Sequence, residues 1–481
     1  MRADHKIRNA LIATIACGLL ALFLARYFPG YLTNTQYVVG FILLELLTAV
    51  LWNYRRILLP MLVVVFLLAG MKTPLFSLCS TARWVILFAG AIAGLAIYLA
   101  EPGHWFGPFH GVAFLCIFSS FASAVVSSYP STSALKAFSL LLLFIYGMSG
   151  ARLAIKGREE KLASGLLRAL EALIYCCAFS YFILRYPLLG NPNSLGAIMG
   201  VVALPAMYWG AMADIETPSL LRRRIALVLA LLLLLSSYAR AGILAAFFSC
   251  LLLSLCMRRY KMFVKGVGVA LLAAFLVALW IPVKSEDSSV DKSPIAKFLY
   301  KGHRGSDVLN SRRPVWDETL AAIREHPFLG TGFGTSANGR NVVGVDPGSL
   351  HVDTVVAGKE HGNSYLAIME WVGLLGVIPF LLLLLLIVNY LFRLWCWVRQ
   401  TGNNNSPSLP LAVVLAAGLI HAGFEDWLFA VGYYLCVFFW VFAFMMVDVL
   451  PNAVRARPQT ESWPQHSNTW PASLGAATPG R

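Results

Sequence analysis

Acidic residues are scarce in this chain, 23 Asp and Glu in 481 positions, and with 38 Lys and Arg all charged side chains reach only 13%. Soluble domains carry nearly twice that share, about 25%, so a water-soluble enzyme is excluded. The nine cysteines show no C-x-x-C spacing. Cys17, Cys116, Cys176, Cys177, Cys250, Cys256, Cys396 and Cys436 lie in or at the ends of apolar runs, as packing residues do, which argues against a disulfide scaffold or a zinc site. A phosphate-binding loop of the G-x-x-x-x-G-K-S/T type is absent, so the energy for any reaction must come from a substrate or a gradient. No paired aspartates occupy the links assigned below to the outer side, and no His/Asp/Glu cluster has ligand spacing; the expectation is therefore no metal and no cofactor. Fixed-period repeats are missing, and so is the half-to-half echo that many transporters show.

What is there is apolar: 59% of residues are hydrophobic and the mean hydropathy is +0.71. Runs of about 20 apolar residues recur from Leu11 to Val449, long enough to cross a bilayer. The pattern predicts an all-α, polytopic integral membrane bundle of about 12 to 14 transmembrane helices. An uncleaved first helix is expected at 7–28. Further helices are expected near 35–52, 57–75, 82–100, 109–128, 133–155, 161–185, 193–213, 222–238, 240–257, 262–281, 362–392, 409–427 and 428–449. The formal charge of +15 is a matter of orientation rather than of nucleic acid, because short cytoplasmic loops collect Lys and Arg. Arg55/Arg56, Arg152 to Lys161, Arg222 to Arg224, Arg258 to Lys265 and Arg393/Arg399 fall in alternate links and mark the inside, while Lys72 and Arg83 fall in an outer one. The domains expected are an N-terminal transmembrane bundle over 1–281, a large periplasmic loop over 282–360, C-terminal transmembrane helices over 361–449, and a cytoplasmic tail over 450–481. That tail is rich in Pro, Ser, Thr and Asn, and is expected to be disordered.

The outer loop is the place to look for chemistry. Within it, 314–325 has Pro314 in a first turn, acids near the start, and Trp316, Leu320 and Ile323 on one face, the pattern of a short amphipathic helix. It serves either as a packing lid or as part of a site. His326 to Thr335 follows, with alternate glycines that suit a tight turn back to the bundle or an amide nest for phosphate. Arg240 interrupts two apolar runs where a charge must face water, a partner or a cavity. Arg312 and Arg313 precede the amphipathic helix, and guanidinium is the preferred fork for phosphate oxygens. His361 opens the next apolar run, with Tyr365 one turn on and Glu370 deeper. A histidine there can take a proton near neutral pH or simply be an interfacial polar residue. Asn191 with Asn193, and His421 with Glu425 and Asp426, are further polar breaks, each either a satisfied helix end or a ligand site.

Taken in order, Asn191-Pro192-Asn193, Ser237-Tyr238-Ala239-Arg240-Ala241-Gly242, Arg312-x-x-x-Trp316, His326-Pro327-Phe328-Leu329-Gly330-Thr331-Gly332, His361-Gly362-Asn363-Ser364-Tyr365-Leu366 and Gly373-Leu374-Leu375-Gly376 resemble the bacterial O-antigen ligase/polymerase family. The departures are the alanines flanking Arg240, where relatives often show Ser-Arg-Gly, and Gly362, inserted after the histidine. The resemblance covers roughly residues 185 to 430. It implies an inverting, metal-independent membrane glycosyltransferase acting at the periplasmic face of the bacterial inner membrane. The implied donor is an undecaprenyl-diphosphate-linked glycan, and the acceptor lipid A core, a growing polysaccharide, or protein. Membrane lipids are the remaining partners, and nucleic acid is not one. The implied catalytic residues are Arg240, Arg312 and His361. Arg313, Asn191, Asn193 and Tyr365 are expected to bind the diphosphate or glycan. A polymerase and a protein O-oligosaccharyltransferase share these motifs, and a lipid-linked glycan flippase or transporter is the alternative outside catalysis.

Overall fold

The computed structural model describes residues 54–100, 106–213, 220–280, 312–336 and 360–455, with scattered helical positions between 44 and 51. The expected first helix, most of the large loop and nearly all of the tail lie outside the described residues. Only helices, turns and links occur among those described. They run α1 (Leu58–Leu68), α2 (Phe76–Ala100), α3 (Pro108–Val125), α4 (Pro130–Ile155), α5 (Glu159–Ile183), α6 (Pro192–Met212), α7 (Leu220–Ser236), α8 (Arg240–Cys256), α9 (Tyr260–Trp280), α10 (Arg313–Glu325), α11 (Ser364–Thr401), α12 (Ser408–Ala422) and α13 (Tyr434–Val449). Six of these, α2 to α6 and α11, are long and apolar enough to cross a membrane. The chain is thus a membrane protein, helical throughout its described residues.

Helix boundaries follow local chemistry. Pro sits in the first turn of α3, α4, α6 and α10, where its missing N–H costs nothing. Asn191 caps α6 by accepting from Asn193 N at 2.9 Å, and Asn363 caps α11 by accepting from Tyr365 N and Leu366 N. The core is built around α6 and α13, which are apolar on every face and buried on nearly every face. Trp440 and Phe444 of α13 pack against Phe144 of α4, and Phe444 also meets Phe109 of α3. α6 meets α8 backbone to backbone: a Cβ on Gly200 would fall 2.3 Å from the Gly242 carbonyl oxygen. Small residues permit this approach in a bilayer, where lipid competes for every larger contact.

The links gather at two ends of the bundle. At one end Lys72 N donates to Leu188 O, Tyr181 OH to Ser236 O, Tyr434 OH to Ser194 O, and the 330–336 turn contacts Ser127 and Lys136. At the other, Trp209 Nε1 donates to Asn404 O, Arg259 reaches Met212 O, and Arg152 pairs with Asp448. Arg222, bonded to Glu171, stands at that second end too.

Three expectations change. Arg83 is not in a link: α2 begins at Phe76, and Arg83 is a buried residue within it whose Nη1 donates to Gly432 O at 2.7 Å while the guanidinium stacks over Trp84. The apolar run at 409–427 stops being helical at Ala422, and α13 starts only at Tyr434, so 423–433 is a folded link. The tail begins with a helical turn, Asn452–Arg455, with Val454 buried.

The join of the outer loop to α11 matters most for the site. Gly373 interrupts α11 with φ 67° and ψ −179°, a conformation open essentially to glycine alone. The break frees the carbonyls of Glu370 and Trp371, which accept from Thr331 N (2.9 Å) and Gly332 N (3.0 Å), while Leu374 N donates to Pro327 O (2.7 Å). These amides of the glycine turn are therefore spent on the bundle, and the turn reading prevails over the phosphate nest. Lys136 Nζ and Ser133 Oγ, donating to Gly334 O and Phe333 O, hold the turn from α4.

Candidate active site

His361 stands three residues before α11, just outside the helix, and is fully buried. Asp426, in the α12–α13 link, accepts from His361 N at 2.7 Å and lies 3.2 Å from its Nδ1 through the same oxygen. On the other side of the ring, Glu370 Oε2 lies 3.1 Å from Nε2. That contact is close but poorly aligned, so its weight is mainly electrostatic. Ser336, at the end of the glycine turn, donates to Glu370 Oε1 at 2.5 Å, and Trp371 meets the imidazole edge-on at 5.5 Å. The kink at Gly373, three residues on, fixes where Glu370 points by tying its carbonyl to the turn.

Burial disfavours a charged imidazole, but the hydrogen bond to Asp426 and the neighbouring charges of Glu370 and Asp426 outweigh it and lift His361 to about 9. For Asp426, burial works against ionisation, yet its bonds to His361 hold it below the ordinary carboxylate value. The three side chains form an acid–imidazole–acid relay that is charged near neutral pH. Its protons belong to the group rather than to one atom.

Arg312 abuts this relay. It precedes α10, and its guanidinium donates to Gly362 O at 2.8 Å, to Phe424 O, and to Glu425 Oε1 at 2.7 Å. It therefore staples the loop helix to the chain before α11 and to the α12–α13 link. Ser364 completes the staple by donating to Glu425 O (2.6 Å) and accepting from Leu428 N (3.1 Å). Burial raises the Glu425 carboxyl against the opposing pull of Arg312.

Of the residues singled out from sequence, His361, Arg312 and Tyr365 share this neighbourhood. Tyr365 uses its hydroxyl to tie α11 to α12, donating to Leu419 O at 2.6 Å. Arg313 is exposed on α10. Asn191, Asn193 and Arg240 form a second group at the same end, at the adjoining N-termini of α6 and α8, where a Cβ on Gly196 would strike Ala239. Asn191 is occupied as a helix cap. Tyr434 and Ser194 connect that group to the α12–α13 link. Glu370, Glu425 and Asp426, noted in the sequence as polar positions, are not among the residues expected to act, and Ser336 carries no sequence signal of its own. The signal for three of them was present, since acids within apolar runs are costly and rarely idle.

This is a helical membrane protein with a buried acid–histidine–acid cluster at one end, braced by an arginine from a loop helix. Residues 225–381 match the family model described as O-antigen ligase (Wzy_C), and the chain carries a domain of that family. The match runs from α7 through the Gly373 kink, so it includes Arg240, Arg312, His361 and Glu370 and ends before Glu425 and Asp426. No curated protein matches the chain in sequence. That match supports a ligase/polymerase-type role in glycan biosynthesis, with a lipid-linked glycan and an acceptor as partners in general terms.

Proposed function

We propose that the protein is an O-antigen ligase-type glycosyltransferase that moves a glycan from undecaprenyl diphosphate to lipid A core, for lipopolysaccharide biosynthesis, at the periplasmic face of the bacterial inner membrane. The observation that carries this reading is His361 enclosed by Glu370 and Asp426 beside Arg312, with His361, Glu370 and Arg312 inside the stretch that matches the O-antigen ligase family model. Orientation is supported by charge: Arg152 to Lys161, Arg222 to Arg224 and Arg258 to Lys261 lie at the end opposite the cluster, and basic links stay in the cytoplasm.

In this reaction the acceptor hydroxyl oxygen bonds to the anomeric carbon from the face opposite the diphosphate. The carbon–oxygen bond to the diphosphate breaks, and its electron pair stays on the leaving oxygen. The hydroxyl proton passes to the His361–Glu370 pair, with Asp426 holding the ring in orientation. Arg312, Arg313 and Arg240 offer fixed positive charge where negative charge grows on the leaving group. No metal takes part in the proposed reaction. With another repeat unit or a protein as acceptor, the same steps make a polymerase or an O-oligosaccharyltransferase.

The test is purified protein in detergent with a prenyl-diphosphate glycan, offered lipid A core, free repeat units or a pilin-like protein in separate reactions. Glycan on lipid A core supports the ligase, and glycan on another acceptor reassigns it within the class. Donor binding without turnover for any acceptor contradicts the enzyme and favours a flippase or transporter.

Two results are expected from the electrostatics. Because the relay must lose a proton to act as a base, and His361 titrates near 9, the transfer rate should rise with pH from 7 towards 9, by at most about tenfold per unit. Asp426→Asn, which removes a partner that raises His361, should move this rise to lower pH and lower the plateau. A rate flat from pH 6.5 to 9 contradicts the role. Folding runs the other way: the stability His361 gains from its partners is complete below its ordinary value of 6.5 and is lost as pH rises through about 9. The melting temperature should therefore fall over the range in which the rate climbs.

The second result concerns Glu425. Its carboxylate occupies Arg312 where an anionic donor would bind, so Glu425→Gln should tighten binding of a prenyl diphosphate several-fold. Isothermal titration in detergent measures this, and weaker binding would show that the carboxylate supports the site instead of competing for it.

A further inference from the structure

The turn that follows α10 carries no charged residue from Pro327 to Ser336, although α10 itself has Asp317, Glu318, Arg324 and Glu325. Its tip turns apolar side chains outward: Phe328 is 65% exposed and Leu329 43%. Two spans fix the height of that tip. Leu374 N and Leu375 N of α11, the first amides beyond the Gly373 break, donate to Pro327 O (2.7 Å) and Phe328 O (3.2 Å), and Ser123 Oγ in the last turn of α3 donates to Leu329 O (2.9 Å). From the break to Arg393, its next charged residue, α11 runs through about 28 Å of uncharged, mostly apolar sequence, close to the roughly 30 Å hydrocarbon core of a bilayer. Gly373 therefore stands at one border of that core. Beside the tip, Leu374, Leu375 and Val125 are exposed too, so both spans still present apolar side chains at this height.

We infer that Phe328 and Leu329 form a membrane anchor: the tip of the turn is seated at the hydrocarbon border of the leaflet on this side, and the partner of this surface is lipid. Acyl chains accept an apolar tip without charge. The carbonyls of Pro327, Phe328 and Leu329 are already satisfied by α11 and α3, which removes the usual cost of irregular backbone at membrane depth. A contiguous exposed apolar patch marks a membrane or a protein contact, and continuity with the lipid-facing sides of α3 and α11 favours lipid. The anchor also sets the height of the site. Glu370 precedes the break by one helical turn, so the relay stands about 5 Å outside the hydrocarbon core, at the level of the lipid headgroups. On the glycosyltransferase reading, a lipid-linked diphosphate would meet the relay with its chain still in the bilayer. The anchor itself depends only on α11 crossing the membrane, so it can fail while that reading stands.

The experiment attaches a spin label at Phe328→Cys or Leu329→Cys in the full chain, reconstituted in nanodiscs of phosphatidylethanolamine and phosphatidylglycerol. It reads collisions of the label with oxygen, which concentrates in lipid, and with a water-soluble nickel chelate. Asp317→Cys, exposed on α10, is the water reference, and Ile378→Cys, exposed on α11 beyond the break, is the lipid reference. Signal from the native cysteines is recorded on the unsubstituted chain and subtracted. The expected result is an oxygen-to-nickel ratio at both tip positions several-fold above that at Asp317 and close to that at Ile378. A ratio no higher than that at Asp317 puts the tip in water and overturns the anchor. Low collision with both reagents means that protein covers the tip, and overturns it as well.

Discussion

His361→Asn is expected to lower the rate of glycan transfer by roughly 10²- to 10⁴-fold, the usual contribution of a positioned acid–base group, while leaving donor binding close to wild type. Asparagine is smaller than histidine and polar. It retains the backbone N–H that donates to Asp426, and it cannot take the acceptor's proton. The loss should therefore fall on kcat, with KM for the lipid-linked donor little changed. A variant that binds donor normally and transfers glycan within about threefold of wild type would remove His361 from the chemistry. Removing Glu370 or Asp426 gives smaller losses than removing the imidazole, and combining either with His361→Asn should add little, because residues acting as a unit are not additive.

Gly373→Ala is expected to be the most damaging single change of fold. Its φ of 67° with ψ near 180° lies in a region that alanine reaches only with strain, on the order of 1–3 kcal/mol. The added Cβ would also fall 2.4 Å from the Phe328 carbonyl carbon and oxygen, which are backbone and cannot swing aside. The glycine turn would separate from α11, taking with it the bonds from Thr331 N and Gly332 N that hold Glu370 and Trp371. A large fall in melting temperature in detergent, or loss of folded protein altogether, is the expected outcome, with transfer activity lost in whatever survives. Gly376→Ala on the next turn is the comparison: its Cβ also comes close to Ser119 and Val372, but Gly376 does not have the left-handed backbone of Gly373, so without that strain its effect should be milder. Equal melting of Gly373→Ala and wild type would contradict the description of this join.

Much of this architecture was legible in the residues. The amphipathic helix expected at 314–325 is α10, Arg313–Glu325, because Pro314 and the spacing of Trp316, Leu320 and Ile323 suffice to specify it. The polar breaks at Asn191 and His361 fall just before α6 and α11, where Asn side chains cap the exposed amides. Less legible was pairing across the chain. His361 and Asp426 are 65 positions apart, and nothing local to either shows that one oxygen of Asp426 takes both the backbone and the ring of His361. Arg83 differs from its expected place for a similar reason: a charge in an apolar run reads as the edge of a helix, whereas the distant backbone carbonyl of Gly432 receives it in the interior. The glycine turn left two readings open because its amides could face a ligand or the bundle. The choice depended on the Gly373 break, which frees the carbonyls that take them.

The central claim is that the His361, Glu370 and Asp426 relay beside Arg312 is where glycan leaves its lipid diphosphate and joins an acceptor. The most direct measurement is a single-turnover reaction of purified protein with a radiolabelled prenyl-diphosphate glycan, lipid A core and a metal chelator, following released prenyl diphosphate and labelled acceptor together. Wild type should release prenyl diphosphate and label the acceptor in equal amounts, with the new glycosidic bond inverted, and His361→Asn should do neither while still binding the donor. Equal turnover by wild type and His361→Asn would contradict the account.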